Sequence, residues 1–516
     1  MTYADALLQE IIDSNIWPLW RERSIQNDID KFRAIYESND VDKLISYHSP
    51  PFKLDNYQPD GLPMSIVDTY ADMVIGEFEV KAGHPDDEDN LEAIIEANLL
   101  EDGVCVDQEQ RIQTDGEIYW RVYIDKMASD YPIISWHSRE AVVPLLIASK
   151  LKAIALFNAY ESKTGAANRL VDMPSIVVGD DPVANSVAVY RHFEIIDDYK
   201  TINTLFLGNR FAVGYQVPLD SIDETADLDE EIENPFGEML AGVMKHREAS
   251  SRNVGRSILS GIWRKCLELN DHNSRFARES GIASTKVMVD SSLADQQVDA
   301  TTGQLIGKPT INWENTFLLG NASNIGESIG DRIQEVTITF DSAARTIYGD
   351  DLRQNICIAV GMSTALLNAG GRGDTGVALA SRFYTTAKKA SSFGKTWDKQ
   401  LPRILRLAQM VDSLPEDGIY PGFGRPYSDA SAKPKLKRGP VLPETAQEQA
   451  ASMGLKRAAG IISREESIRE LHEDWTDEQI ALEVALLEQE DKLTLNINKP
   501  SVQIPMNNNS NSGKPE

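Results

Sequence analysis

Two strings in this chain have the residue types and spacing of known chemistry. Gly371, Gly373 and Gly376 spell GxGxxG ahead of a helical pattern. That arrangement cradles a pyrophosphate when a strand ends in a tight turn against a helix N-terminus. Gly326, Ser328 and Gly330 spell GxSxG, which exposes a nucleophilic serine where a strand turns sharply into a helix. Neither string has the right surroundings. Residues 356–360 could be the strand a nucleotide site needs, but they end well before Gly371, and the following helix runs far past the point where a second strand must begin. The serine string is followed at once by a strand pattern at 335–340, and the one downstream histidine, His472, sits in a helical stretch.

The other chemistry-bearing residues form no constellation. The seven histidines lack ligand spacing. The acidic run around Asp227 lacks the glycine that a calcium loop requires at its sixth position. Arg372-Gly373-Asp374 matches a cell-attachment tripeptide by letter only. Trp17, Trp20 and Trp136 read as core or interface anchors. Three widely spaced cysteines, Cys105, Cys266 and Cys357, give no disulfide framework and no CxxC metal site, and point to a reducing compartment. The expectation is a protein without metal, cofactor or catalytic centre.

The formal net charge is −29 over 516 residues, with 41% apolar and 25% charged, an ordinary soluble balance in a chain long enough for about three domains. Such acidity argues against gripping nucleic acid by net charge alone. The charge is uneven, however. Residues 220–233 hold acids and no base, whereas 239–278 carry Lys245, Arg247, Arg252, Arg256, Arg264, Lys265, Arg275 and Arg278 against Glu248, Glu268 and Asp271. The first residues carry acids and no signal-peptide pattern. The longest apolar run, 141–157, is broken by Pro144, Lys150 and Lys152. It is too short and too charged to span a membrane and reads as a buried helix.

The first 60 residues read as helical, with a loop at 48–63, and helical patterning dominates 66–101. Alternation at 116–135 predicts two strands around a turn, and further strands are expected at 188–196 and 204–219, the latter split by Gly208 and Gly214. This mixed part reads as one domain to about residue 235. A basic helix follows, with Ile258, Ile262 and Cys266 on one row and Leu259, Trp263 and Leu267 beside it. Strands at 285–289 and 335–340 enclose turn residues, so a small β-rich insert lies between that helix and the next, 341–362.

After a glycine-rich loop comes an exceptionally long helix, 377–411. Its apolar or small positions are Ala380, Phe383, Ala387, Ala390, Gly394, Trp397, Leu401, Ile404, Ala408 and Val411, all on one face. About 35 helical residues span roughly 50 Å, and a bend is expected at Gly394 or Pro402. The other face carries Arg382, Lys388, Lys389, Lys395, Lys399, Arg403 and Arg406 against Asp398 alone. A Pro/Gly-rich passage, 414–443, holds the basic tract KPKLKRG. Ser463 and Thr476 then open capping boxes and Gly460 stops the helix before them, giving helices near 444–459, 464–473 and 477–490. The polar stretch 491–516 reads as disordered.

This order of elements resembles the portal proteins of tailed bacteriophages. LFLGNRFAVGYQVPL before the acidic run is similar to the β segment that ends the portal wing, and GRSILSGIWRKCLELNDHNSRFARE to the first stem helix. DDLRQNICIAVGMSTALLNAGGRGDTGVALASRFYTTAKKA resembles the second stem helix, the tunnel loop and the start of the long wing helix. AAGIISREESIRELHEDWTDEQIALEVALLEQE resembles the crown-proximal helices. The likeness covers most of 20–490 and lies in order and texture, because the family has no catalytic signature to match.

The resemblance implies an α+β, predominantly helical subunit. Its parts would be a wing (1–235), first stem helix (236–282), β-rich clip (283–340), second stem helix (341–361), tunnel loop (362–376) and long wing helix (377–411). A connection back to the wing (412–443), crown helices (444–490) and a disordered tail (491–516) complete it. It further implies a homo-oligomeric ring, typically of twelve subunits, at one capsid vertex of the virion. Such a ring passes double-stranded DNA without reading its sequence. The implied partners are the terminase large subunit, a head-completion or adaptor protein, and the major capsid and scaffold proteins, with no membrane. The tunnel loop would comprise Met362, Ser363, Thr364, Asn368, Gly370, Gly371, Arg372, Gly373, Asp374 and Gly376. DNA-facing or inter-subunit bases would come from Arg252, Arg256, Arg264, Lys265, Arg382, Lys388, Lys389 and Lys395. A few bases in an acidic ring suit a channel that must touch phosphate without holding it. The competing readings are an oligomeric head or scaffold protein without a DNA channel, then a nucleotide-binding or hydrolytic enzyme.

Overall fold

Helix α1 (Tyr3–Ser14) starts on a reciprocal cap: the Asp5 amide donates to Thr2 Oγ1 at 3.3 Å, and the Thr2 amide to the Asp5 carboxylate at 2.6 Å. Its apolar row, Ala4, Leu7 and Ile11, is fully buried. The computed structural model describes residues 2–48, 57–161, 169–170, 189–209, 211–249, 254–282, 285–290, 297–298, 305–306, 316–319, 333–337, 342–364, 376–416, 418, 420–439, 463–471 and 479–487. They form an α+β protein in two units, Met1–Val441 and Leu442–Glu516.

In the first unit α1 is followed by α2 (Trp20–Glu37), α3 (Val41–His48), α4 (Leu62–Ile75), β1 (Phe78–Lys81), α5 (Glu88–Ala97) and α6 (Cys105–Asp115). Strands β2 (Glu117–Tyr123) and β3 (Ile133–Ser138) pair antiparallel, as the alternation there predicts. The run 141–157 corrects the expectation of a helix. It forms an antiparallel hairpin, β4 (Val142–Ile147) and β5 (Lys150–Glu161). Ala148 and Ser149 between them have φ of 50° and 62°, the backbone of a two-residue hairpin turn. The strand period is hidden because consecutive residues Ala153 to Phe157 are all buried, so both faces of β5 are apolar.

Strands β6 (Arg169–Leu170), β7 (Val189–Asp197), β8 (Lys200–Asn209), β9 (Ala212–Val217) and β10 (Glu231–Glu233) extend this sheet. Its order is β10-β8-β7-β5-β4, with β6 on β5 and β9 on β8. One face, including Ala155, Phe157, Phe193 and Phe206, packs with α1 and Trp17, whose ring stands edge-on to Phe157 at 4.2 Å between centroids. The other face presents Ile154, Leu156 and Ile196 to Tyr119 and Met239.

Strand β11 (Ala241–Lys245) joins β2, and β12 (Glu248–Ala249) pairs with β13 (Val254–Gly255). They occupy the N-terminal half of the helix expected over 236–282, and α7 spans Trp263–Ile282 only. Two glycines explain why. Gly242 lies on the Trp120 indole and Gly255 on the Gly116 backbone, with no room for a Cβ at either. Strand β14 (Thr285–Asp290) then pairs parallel with β17 (Thr316–Leu319) and antiparallel with β18 (Ile333–Thr337), while β15 (Gln297–Val298) pairs with β16 (Leu305–Ile306). These strands precede α8 (Ser342–Val360). Helix α9 (Gly376–Asp412) continues through Gly394 and Pro402. Beyond it, β19 (Lys435–Arg438) pairs with β1, bringing the Pro/Gly-rich passage back to the N-terminal region.

A single core joins α2, α4–α9 and β2 through Ile35, Tyr70, Ile94, Trp120, Ile356 and Trp397, among others. The domain boundary expected near residue 235 is therefore absent, because residues on both sides share that core. Trp17 and Trp136 are core anchors, the latter 5.9 Å from Trp397, whereas Trp20 is 81% exposed. In the second unit the Ser463 hydroxyl accepts from the Glu466 amide at 3.0 Å and caps the helix Arg464–Leu471. A further helix covers 479–487. The expected helix at 444–459, the Thr476 cap and the tail at 491–516 lie outside the described residues. No helix among the described residues is long and apolar enough to cross a membrane.

Candidate functional site

Helices α7 and α8 run antiparallel and position the start of the glycine-rich loop. Arg345 pairs with Glu279 at 3.0 Å and the Tyr348 hydroxyl donates to Glu268 at 2.5 Å. Gly349 is buried against His272, where a Cβ would come within 3.0 Å of the imidazole. Asp60 fastens the pair to the N-terminal region, accepting from Asn273 and Arg353 at 2.9 Å each. Burial pushes the Cys266 and Cys357 thiols up to about 12 and about 11, which makes them packing groups rather than nucleophiles.

Helix α8 stops in a Schellman arrangement. Gly361 has φ +73°, its amide donates to the Ile358 carbonyl at 3.0 Å, and the Met362 amide reaches the Cys357 carbonyl at 2.8 Å. The Val360 carbonyl accepts from the Tyr70 hydroxyl at 3.1 Å and from the Lys389 ammonium. A cation there is also favoured by the helix dipole. The next amide, Ser363, donates to Thr386 Oγ1, a buried hydroxyl of α9, at 2.8 Å.

These contacts correct the expected loop at both ends. Met362 is buried in the main core and Ser363 is tied to α9, so neither is free to swing. Gly376 is the first residue of α9. Thr364 is half-buried. Asn368, Gly370, Gly371, Arg372, Gly373 and Asp374 lie outside the described residues, as do Arg252 and the string around Ser328. Residues 356–360, the candidate strand ahead of the glycine string, are the last turn of α8.

The expected basic residues go different ways. Lys388 and Lys395 are exposed on α9, Lys388 beside the Tyr384 ring at 6.0 Å. Arg264 is exposed over the Trp263 ring at 5.1 Å, and Lys265 is half-buried. Arg382 falls within α9. Lys389 turns inward instead, onto Val360 and 5.0 Å from the Tyr70 ring. Burial, then the neighbouring Arg247 and Arg256, push its ammonium down to about 8. Farther along, Arg403 and Arg406 both clamp Glu238, and Asp398 holds Arg438 at 2.6 Å. The basic face of α9 is thus partly consumed in internal contacts.

Behind Lys389 sits a buried carboxylate, Glu109 of α6. It accepts from Trp397 Nε1 at 2.7 Å and Gln113 Nε2 at 2.6 Å, and lies 2.7 Å from His246 Nε2. His246 stacks on Phe393 at 4.6 Å, and its other nitrogen is 3.2 Å from Thr396 Oγ1. Glu109, His246 and Arg247 were absent from the expected set, and only the excess of bases at 239–278 hinted at Arg247. What the assembled region offers is fixed positive charge beside the root of a glycine-rich loop.

No protein-family model matches this chain, and no curated protein matches it. Among solved structures, a chain in the virion of a native gene transfer agent particle is similar over 86% of this chain and 98% of its own length, at 10% identity and a TM-score of 0.39. A likeness that distant identifies neither a family nor a function.

Proposed function

We propose that this protein is a non-catalytic structural subunit of a tailed-phage-type virion, and specifically a portal subunit. In this reading copies close into a ring at a capsid vertex, through which double-stranded DNA enters during packaging and leaves at infection. The ring also docks the terminase and head-completion proteins. One observation carries the reading: an antiparallel helix pair, α7 and α8, brackets a β-rich insert and hands the chain through a glycine-rich loop to the 37-residue helix α9. A channel subunit needs such a rigid strut, an end piece for docking and a compliant segment at the strut's inner end. In this reading the compliant segment lies between Ser363, whose amide donates to Thr386, and Gly376, the first residue of α9. Small residues and glycines there accept backbone angles that others resist.

Negative-stain class averages with light scattering on the purified full chain test this. The expected particle is a closed ring with a central hole and the mass of many subunits. A monomer or dimer at every concentration and salt would overturn the ring. Extended sheets or shells would favour the head-protein reading instead.

A further inference from the structure

Arg247, Arg256 and Lys389 line one cavity of about 60 Å³, together with Ser260, His246 and Phe393. Arg247 and Arg256 flank the β12–β13 hairpin, and Lys389 comes from α9. The Arg256 amide donates to the Arg247 carbonyl at 2.9 Å, and Arg256 Nε donates to Ser260 Oγ at 3.1 Å. Arg247 and Lys389 lie 5.3 and 5.4 Å from the same Phe393 ring. Elsewhere Arg33 meets Asp115, Arg121 meets Glu194 and Arg139 meets Glu22, whereas buried Arg191 donates to the Asn209 and Ala212 carbonyls. Among the described residues no carboxylate forms an ion pair with Arg247, Arg256 or Lys389. Glu109, close by, is occupied by His246, Trp397 and Gln113.

Like charges converging on a part-buried hollow repel one another unless a counter-charge enters. Burial first, and the charges of Arg247 and Arg256 after it, push the Lys389 ammonium down. The hollow is too small for a nucleoside, but a single water needs only about 10–15 Å³, so a few waters or one small anion fit. Guanidinium forks match the oxygens of a phosphoryl group, and the Ser260 hydroxyl adds a further donor. We propose that this cavity is a binding site for a tetrahedral oxyanion, phosphate or a phosphate-bearing group, clamped by Arg247 and Arg256 with Lys389 beside them. Because Lys389 also holds the last carbonyl of α8, occupancy bears on the anchor of the glycine-rich loop. The site does not depend on ring assembly.

Titration calorimetry of the full chain with inorganic phosphate, at ionic strength held constant with chloride, tests it. The expectation is one phosphate per chain, with affinity falling roughly tenfold or more in Arg256→Gln and in Arg247→Gln. Lys126→Gln, at the β2–β3 turn, should leave binding unchanged. Both arginines are exposed, so the variants should keep the wild-type thermal midpoint in chloride, and Arg256→Gln alone suffices if the other does not fold. A short DNA duplex separates the two sources of phosphate. Displacement of phosphate by duplex, with duplex binding weakened in Arg256→Gln, assigns the site to a backbone phosphodiester. Phosphate binding untouched by duplex assigns it to a free anion. Absence of phosphate binding, or binding that both arginine variants leave intact, overturns the site.

Discussion

His192 shows how much a single buried side chain can decide. It sits inside the large sheet with Nε2 3.2 Å from Asn203 Oδ1, and burial pushes its pKa down to about 4. In the unfolded chain the imidazole protonates near 6.5, so between about pH 6.5 and 4 the unfolded state binds more protons than the folded one. The stability held by neutral His192 is therefore complete above pH 6.5 and is lost as pH falls through that window, by roughly 3 kcal/mol in all. Glu194, two residues on, is raised by burial and titrates with the opposite sign, so the informative quantity is a difference between variants. His192→Gln can keep the hydrogen bond without the titration. Its urea midpoint should fall less than that of the wild-type protein between pH 6.5 and 4.5, and equal slopes would show that this imidazole titrates normally. At this scale the sequence was a partial guide. Arg256 and Lys389 were legible as bases out of place in an acidic chain, but their convergence with Arg247 depends on contacts across the fold. Nothing in the sequence singled out Glu109.

The elements were legible where one face is buried and obscure where both are. From Ala390 to Val411 every position of the predicted α9 stripe is buried, because a single apolar face leaves a clean helical period. Residues 141–157 misled because burial on both faces erases alternation. Residues 236–262 misled because close approaches at Gly242 and Gly255, not hydrophobic period, determine the strands there. Gly394 belongs to the same class. In an exposed helix interior, Gly→Ala gains about 1 kcal/mol. Here a Cβ would land on the Arg438 guanidinium, which is fixed by Asp398 at 2.6 and 2.9 Å and by the Val74 carbonyl at 2.8 Å. Gly394→Ala should therefore destabilise the protein by about 1–2 kcal/mol, since it dislodges a paired charge. In an Arg438→Ala background the same change should stabilise, by up to about 1 kcal/mol. Urea unfolding of the four proteins measures this, and a gain of equal size in both backgrounds would mean that Arg438 yields freely.

At the scale of the whole molecule, the order of elements was readable but the division at residue 235 was not, because helices from both sides of it meet in one core. Charge organisation emerges only here. Arg139 and Lys389 are drawn inward, and Arg403 and Arg406 are bound to Glu238. Acids are buried as well, among them Glu22, Glu109, Asp115, Glu117 and Asp412, yet the chain as a whole keeps a net charge of −29. Copies of such a chain repel one another before any contact forms. Ions screen that repulsion over about 10 Å at 0.1 M salt and less as salt rises, whereas burial of apolar surface between copies is not weakened by sodium chloride. If the ring is held mainly by apolar contact, its mass by light scattering should grow as salt is raised from low ionic strength, with rings replacing smaller species. Dissociation on adding salt would carry the opposite meaning. The contacts would then be ionic, with the acidic run at 220–233 of one copy as the first candidate to face bases of the next, and exchanging Asp223 and Glu224 for the corresponding amides should weaken the ring in low salt.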